Sequence, residues 1–270
     1  MILGVVPFLN VKPLVFPLEQ NLIKHDWMLA YSPPASLPQL MDEGSVDVGL
    51  LPVAELFRRR SVGVIPGISI SSFGRVESVV LLSKVPLSNI KAVAVDARSK
   101  SSTALLRIVL EVFCGIVPLY DKRLPGDGFL SGVDAAMIIG DEGLRSMHSP
   151  PTGFRVHDLG EIWTRETGLP FVYAVYAVRR GVRLGESLGT LEASKHLGIS
   201  LAEKIARLES DRIGIGKDIC YVYITERIRY NLGEDEIRGI EMYEGFLRGL
   251  FADEDSELNR DFKLPLYEEV

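Results

Sequence analysis

Residues 44–56 read GSVDVGLLPVAEL, and residues 131–144 read SGVDAAMIIGDEGL. In both, a helix closes at glycine or serine, Val-Asp opens a strand, and the strand gives way to a loop and a short helix. A second pair follows in the same order. VVPFLNVKPL (5–14) and VAVDARSKSSTALL (93–106) each read as strand, polar turn and helix. Two echoes in one order predict two similar α/β lobes. Such lobes leave a cleft between them, and ligands of open α/β sheets sit at the carboxyl ends of strands.

The rest of the chain fits around that pattern. Runs such as ILGVVPF, AVAVD and VVLLS are apolar throughout, which suits sheets covered on both faces. Helical patterns lie between them, at 36–44 and 101–115. This predicts an α/β protein whose sheets are mixed and mostly parallel. ESVVLLSK (77–84) and FVYAVYAVRR (171–180) have no counterpart in the echo and are expected to cross between lobes. Lobe 1 is then 1–83 plus 180–270, and lobe 2 is 84–179. Beyond about residue 185, apolar residues at three-to-four spacing amid charges predict amphipathic helices. The last stretch, DEDSELNRDFKLPLYEEV, reads as a solvated tail docked by Leu264, Leu266 and Tyr267.

Composition narrows the function. The chain has 270 residues, 47% hydrophobic, with a net charge of −6. No basic stripe is present, so no nucleic-acid partner is expected. Cys114 and Cys220 have neither metal-ligand nor disulfide-framework spacing and read as reduced thiols. The N-terminus reads as a strand that begins at once, and the longest apolar run is too short to span a bilayer. A cytoplasmic protein without a membrane partner is expected.

Four stretches could carry chemistry. Asn10 falls where the first strand ends, where it either caps a helix or faces a ligand. Pro13 suits the helix's first turn. Ser99, Ser101 and Ser102 precede or open a helix and put hydroxyls at its positive end, which suits a carboxylate or phosphate. Gly140 permits close backbone approach, while Asp141 is expected to cap the next helix or meet the ligand. Leu169 and Pro170 form a turn ahead of a crossing strand and would reach the same cleft. Arg75 either contacts a carboxylate or pairs with Glu77, and His157 is read as a loop histidine, with a base oriented by Asp158 as the alternative. No Walker loop, GxGxxG, HExxH or GxSxG is present, and the histidines lack metal-ligand spacing, so neither metal nor cofactor is expected. A site of hydroxyls, amides and helix ends suits a small carboxylated molecule.

Taken together, PFLNVKPL, GSVDVGLLPVAEL, ISISSFGRVESVVLLSKVPL, DAAMIIGDEGL and DLGEIWTRETGLPFVYAV occur in one order and at one spacing. The series resembles the chorismate dehydratase family of the futalosine route to menaquinone. YITERIRYNLGEDEIRGIEMYEGFL is similar to that family's C-terminal region. The resemblance implies the two-lobed type 2 periplasmic-binding-protein fold, no cofactor, and a lyase that removes water from chorismate. By residue matching it implies catalytic roles for Asn10 and Ser78, with Ser101 and Ser102 binding substrate. The sister family that makes 1,4-dihydroxy-6-naphthoate begins with a Ser-Pro-Cys-Pro-Asn-Asp type motif, where this chain has PFLN. A solute-binding or sensory protein that closes on a carboxylate without chemistry would use the same lobes.

Overall fold

The computed structural model describes residues 1–59, 62–97, 99–124, 126, 128–251 and 262–268. Its strands are β1 (Ile2–Val5), β2 (Met28–Tyr31), β3 (Val48–Pro52), β4 (Val62–Ser72), β5 (Val79–Ser83), β6 (Ala92–Asp96), β7 (Leu119–Arg123), β8 (Ala135–Ile139), β9 (Arg155–Asp158) and β10 (Phe171–Arg179). They form two five-stranded sheets, ordered β2-β1-β3-β10-β4 and β7-β6-β8-β5-β9. The orders correspond position by position, and each half of the chain repeats one plan.

The repeated Val-Asp has a physical reason. Asp47, just before β3, accepts a hydrogen bond from the Ile2 N–H at the start of β1 (2.9 Å). Asp134, just before β8, accepts one from the Ala92 N–H at the start of β6 (3.1 Å). In each lobe an aspartate entering one strand satisfies the first amide of its parallel neighbour, which sets their register.

In each sheet four strands run the same way and one runs against them. The antiparallel strands are β10, between β3 and β4, and β5, between β8 and β9. Each is the strand that arrives from the other lobe. Every residue of β5 is buried, as expected of a strand paired on both edges and covered on both faces. Neither β5 nor β10 is itself a crossing strand, because each is paired along its length within one sheet. The chain changes sheet between Ser72 and Val79 and again between Asp158 and Phe171, one strand earlier than the expected borders at 83/84 and 179/180.

Direction fixes the site. The parallel strands end at the cleft and the inserted strands begin there, so Ser78, immediately before β5, sits at the junction.

The helices are α1 (Lys12–Glu19), α2 (Leu37–Asp42), α3 (Val53–Leu56), α4 (Lys100–Arg107), α5 (Gly140–His148), α6 (Leu159–Thr167), α7 (Glu186–Ser200), α8 (Ala202–Ile213), α9 (Lys217–Val222) and α10 (Glu234–Phe251). The last four lie where helices were expected after residue 185; α8 and α10 are amphipathic, whereas α7 is not, its buried face mixing Leu191 with Ser194, Lys195 and Gly198. α10 reaches both lobes. Its Tyr243 and Phe246 close an aromatic cluster on Trp163 and Phe171, with Trp163 edge-on to Phe171 at 5.1 Å. None of the described helices is long and apolar enough to cross a membrane. Leu264 and Tyr267 pack on the core as expected, and the Tyr267 hydroxyl accepts from the Leu184 N–H; Leu266 pairs with Val64 through its backbone alone and leaves its side chain exposed. Of the expected tail, 253–261 and 269–270 lie outside the described residues.

The first crossing segment is held from several sides. Asp158, 3% exposed, accepts hydrogen bonds from the Val76 and Glu77 N–H groups and caps α6 through the Glu161 N–H (3.0 Å). Burial pushes its carboxyl upward, against the pull of those three donors. Glu77 has a positive φ of 61°. Its buried side chain receives Arg227 Nε at 2.7 Å and lies 2.9 Å from His148 Nε2. Burial alone would raise the Glu77 carboxyl, but Arg227 and His148 outweigh it and hold it below the ordinary glutamate value.

Two outcomes follow for stability. Asp158→Ala strands three amides and is expected to cost about 3 kcal/mol in urea unfolding, with Asp158→Asn, which keeps one acceptor, costing clearly less. Glu77 has a depressed folded pKa, so its contribution is present above the unfolded value of about 4.3 and is lost as pH falls through the folded one. The stability gap between wild type and Glu77→Gln is therefore expected to be wide near pH 6 and to shrink below about pH 4.5.

Candidate functional site

A pocket, partly open to solvent, lies between the two sheets. It is lined by Asn10, Ser78, Ser99, Ser101, Ser102 and Gly140 together with apolar side chains and Tyr173. A wider groove runs over the outer side of α4, but its lining includes none of Asn10, Ser78, Ser101 or Ser102. It also carries ion-paired side chains such as Arg107 and Glu111. The interlobe pocket is therefore the candidate site.

Local backbone explains each polar group. Asn10 sits in a 3-10 turn, Leu9–Val11, ahead of α1, whose first turn holds Pro13. Asn10 caps neither element through its side chain, and its Oδ1 is buried without a hydrogen-bond partner. A carbonyl oxygen buried in that state is costly unless a ligand completes it. Ser101 and Ser102 occupy the first turn of α4, where N–H groups lack intrahelical partners. Gly140 opens α5 with φ 66°, and a Cβ there would lie 3.0 Å from the Phe8 ring. Two helix N-termini thus bring partial positive charge to one side of the pocket. α5 can come this close because Gly143 has no side chain: a Cβ would lie 2.4 Å from the Ser78 carbonyl oxygen.

Two serine hydroxyls share one arrangement. Ser78, 2% exposed, accepts a hydrogen bond from the Tyr223 hydroxyl at 2.7 Å. Ser101 Oγ accepts one from the Ala54 N–H across the cleft at 3.0 Å. A hydroxyl has one proton to give, and here both oxygens are supplied by protein donors. Neither bond uses the serine's own proton, which is left to give elsewhere. Both serines and Asn10, with its unpaired Oδ1, line the same pocket.

Other expected site residues lie elsewhere. Asp141 is neither a cap nor a pocket residue. One oxygen accepts from the Leu9 N–H (2.9 Å) and the other from Arg212 (3.0 Å), so it ties α5 to the opposite lobe. Leu169 and Pro170 do not line the pocket. The Pro170 carbonyl accepts the Trp163 indole N–H, and α10 packs over it at Gly239. Arg75 does not pair with Glu77; it is half-exposed and faces Glu161 at 3.7 Å. His157 is on β9, where it contacts Ser83 (3.0 Å), and burial together with Arg155 lowers its pKa. Asp158 does not orient it, because the Asp158 oxygens hold backbone amides.

Sequence reasoning missed Tyr173 and Tyr223. Tyr173 lines the pocket and contacts the Ser72 hydroxyl at 3.0 Å. Its place at the cleft end of β10 follows from strand direction, which the sequence pattern leaves open. Tyr223 begins a π-turn, Tyr223–Arg227, inside a stretch that reads as ordinary amphipathic helix. Among the described lining residues there is no His, Asp, Glu, Lys or Arg. No grouping of three or more His, Cys, Asp or Glu that could hold a metal occurs among the described residues.

Comparison with known proteins agrees with this architecture. Protein AF1704 from Archaeoglobus fulgidus superposes with a TM-score of 0.74 at 14% identity, covering 93% of this chain and 97% of that one. The periplasmic aliphatic sulphonate binding protein SsuA from Escherichia coli gives 0.67 at 15% identity, covering 96% and 95%. These likenesses establish the two-lobed, periplasmic-binding-protein-like fold. In sequence, the chain is 30% identical over 260 residues to the chorismate dehydratase of Thermus thermophilus, covering 90% of this chain and 93% of that protein. A family model described as menaquinone biosynthesis matches residues 1–248. The chain belongs to this menaquinone-biosynthesis family, as the match over residues 1–248 and the 30% identical relative show.

Proposed function

We propose that the protein is a cytoplasmic chorismate dehydratase, a lyase that eliminates water from chorismate to give 3-[(1-carboxyvinyl)oxy]benzoate for menaquinone biosynthesis. The observation that carries this reading is the donor–acceptor pattern of the pocket: Ser78 and Ser101 with protons to give, beside a buried Asn10 oxygen with none to receive. That pattern complements a molecule bearing both carboxylate and hydroxyl.

Chorismate has a ring carboxylate, an enolpyruvyl carboxylate and a C4 hydroxyl. Its C3 hydrogen is acidified through the ring diene by the ring carboxylate. Loss of that proton and of the C4 hydroxyl leaves an aromatic ring, so the overall step is driven by the product. What the protein must supply is a fixed pose and stabilisation of charge that builds on the ring carboxylate. The first turn of α4, with Ser101 and Ser102, suits that charge. Asn10 Oδ1 suits the C4 hydroxyl, and Ser78 grips from the junction.

The described lining holds no carboxylate or histidine to act as base, and Glu77 is committed to Arg227 and His148. In this proposal the substrate's own enolpyruvyl carboxylate takes the C3 proton. The C4 hydroxyl takes that proton back from the carboxylic acid and departs as water, which regenerates the carboxylate, and the electron pair from C3–H becomes the new ring double bond. An analogue lacking the enolpyruvyl carboxylate is expected to bind without eliminating; near-normal elimination would rule this base out.

Mixing the protein with chorismate and following the aromatic product by ultraviolet absorbance tests the function. Turnover is expected, and Ser78→Ala is expected to lower kcat roughly 100-fold. Tight binding without turnover would make the protein a carboxylate-binding relative instead. Turnover of cyclic dehypoxanthine futalosine would assign it to the sister reaction.

A further inference from the structure

We infer that Tyr223 is a positioning residue that sets the direction of the Ser78 hydroxyl, so that Ser78 gives its proton to the ligand in the pocket. Tyr223 is fully buried, 1% exposed, and its hydroxyl donates to Ser78 Oγ at 2.7 Å. The donors run one way: Tyr223 O–H gives to Ser78, which leaves the Ser78 O–H to give to the pocket. Chains of hydrogen bonds that point in one direction strengthen one another. Burial pushes the Tyr223 hydroxyl far above its ordinary range, so it stays protonated and remains a donor.

The backbone supports this assignment. Tyr223 and Arg227 open and close one π-turn, and both reach the crossing segment. Tyr223 takes Ser78, and Arg227 takes its neighbour Glu77 at 2.7 Å. Asp158 holds the amides of Val76 and Glu77 from the other side. Three consecutive residues are therefore fixed by contacts from separate parts of the chain, and the last of them faces the pocket. π-turns inside helices recur at functional sites because the extra residue re-aims side chains. Here the re-aimed side chain does not touch the ligand; it acts through Ser78.

The kinetic consequence rests on the dehydratase reading; the direction of the hydroxyls does not. Tyr223→Phe keeps the buried ring and removes only the donor. It is expected to lower kcat roughly 10- to 100-fold on chorismate while changing KM less than about threefold. In the double variant with Ser78→Ala, activity is expected to match Ser78→Ala alone, because the phenol then has no hydroxyl to direct. A merely structural role would instead multiply the two losses. Neutron diffraction of the deuterated wild-type protein reads the arrangement directly. Deuterium on the Tyr223 oxygen pointing at Ser78, with the Ser78 deuterium toward the pocket, is expected. A Ser78 deuterium aimed at the Tyr223 oxygen, a Tyr223→Phe kcat within about twofold of wild type, or multiplying losses would overturn the inference. The expected deuterium pattern in a protein that leaves chorismate unchanged would reject the dehydratase reading alone.

Discussion

One carboxylate joins the two places where the chain passes from sheet to sheet. Asp158 ends β9, caps α6 on the route to β10, and holds the Val76 and Glu77 amides on the route to β5. An aspartate with ordinary solvation would have no reason to be there, and burial raises its pKa accordingly. Three amide donors, from Val76, Glu77 and Glu161, offset that cost. With both passages tied to one side chain, the inserted strands enter their sheets in fixed register, and the ends that face the cleft are fixed with them.

The pocket is a consequence of that geometry. Parallel strands deliver Asn10 and Gly140 at their carboxyl ends, while the inserted strands deliver Ser78 and Tyr173 at their amino ends. The lobes are then fastened on both flanks of the pocket. Asp141 and Arg212 join on one flank, and Ala54, Ser101 and Tyr243 join on the other. These fastenings use polar groups that could otherwise have served the ligand. That is why Asp141 is structural here, although its position at the head of α5 made it a reasonable binding candidate.

Much of the site was legible because strand ends and helix starts leave local marks. Asn10 after an apolar run, serines opening a helix and a glycine after a strand all carry a reason within a few residues. Ser78 was legible as a polar residue against a fully apolar strand. Leu169 and Pro170 misled because a turn before a strand says nothing about which face it presents; α10 and Trp163 cover it. Tyr223 was silent, since its stretch keeps helical spacing and the π-turn that turns it toward Ser78 has no signature of its own.

The sequence by itself determined the two-lobe plan. The paired Val-Asp and strand–turn–helix stretches repeat a local solution to a local problem, an aspartate satisfying the first amide of a neighbouring strand. It also determined the chemistry of the pocket, hydroxyls and an amide at helix and strand ends. Only the tertiary structure decided where the chain changes sheets and which groups remain free. Those outcomes depend on hydrogen bonds between residues distant in sequence, such as Tyr223 with Ser78 and Asp158 with Glu77, and no spacing along the chain encodes them.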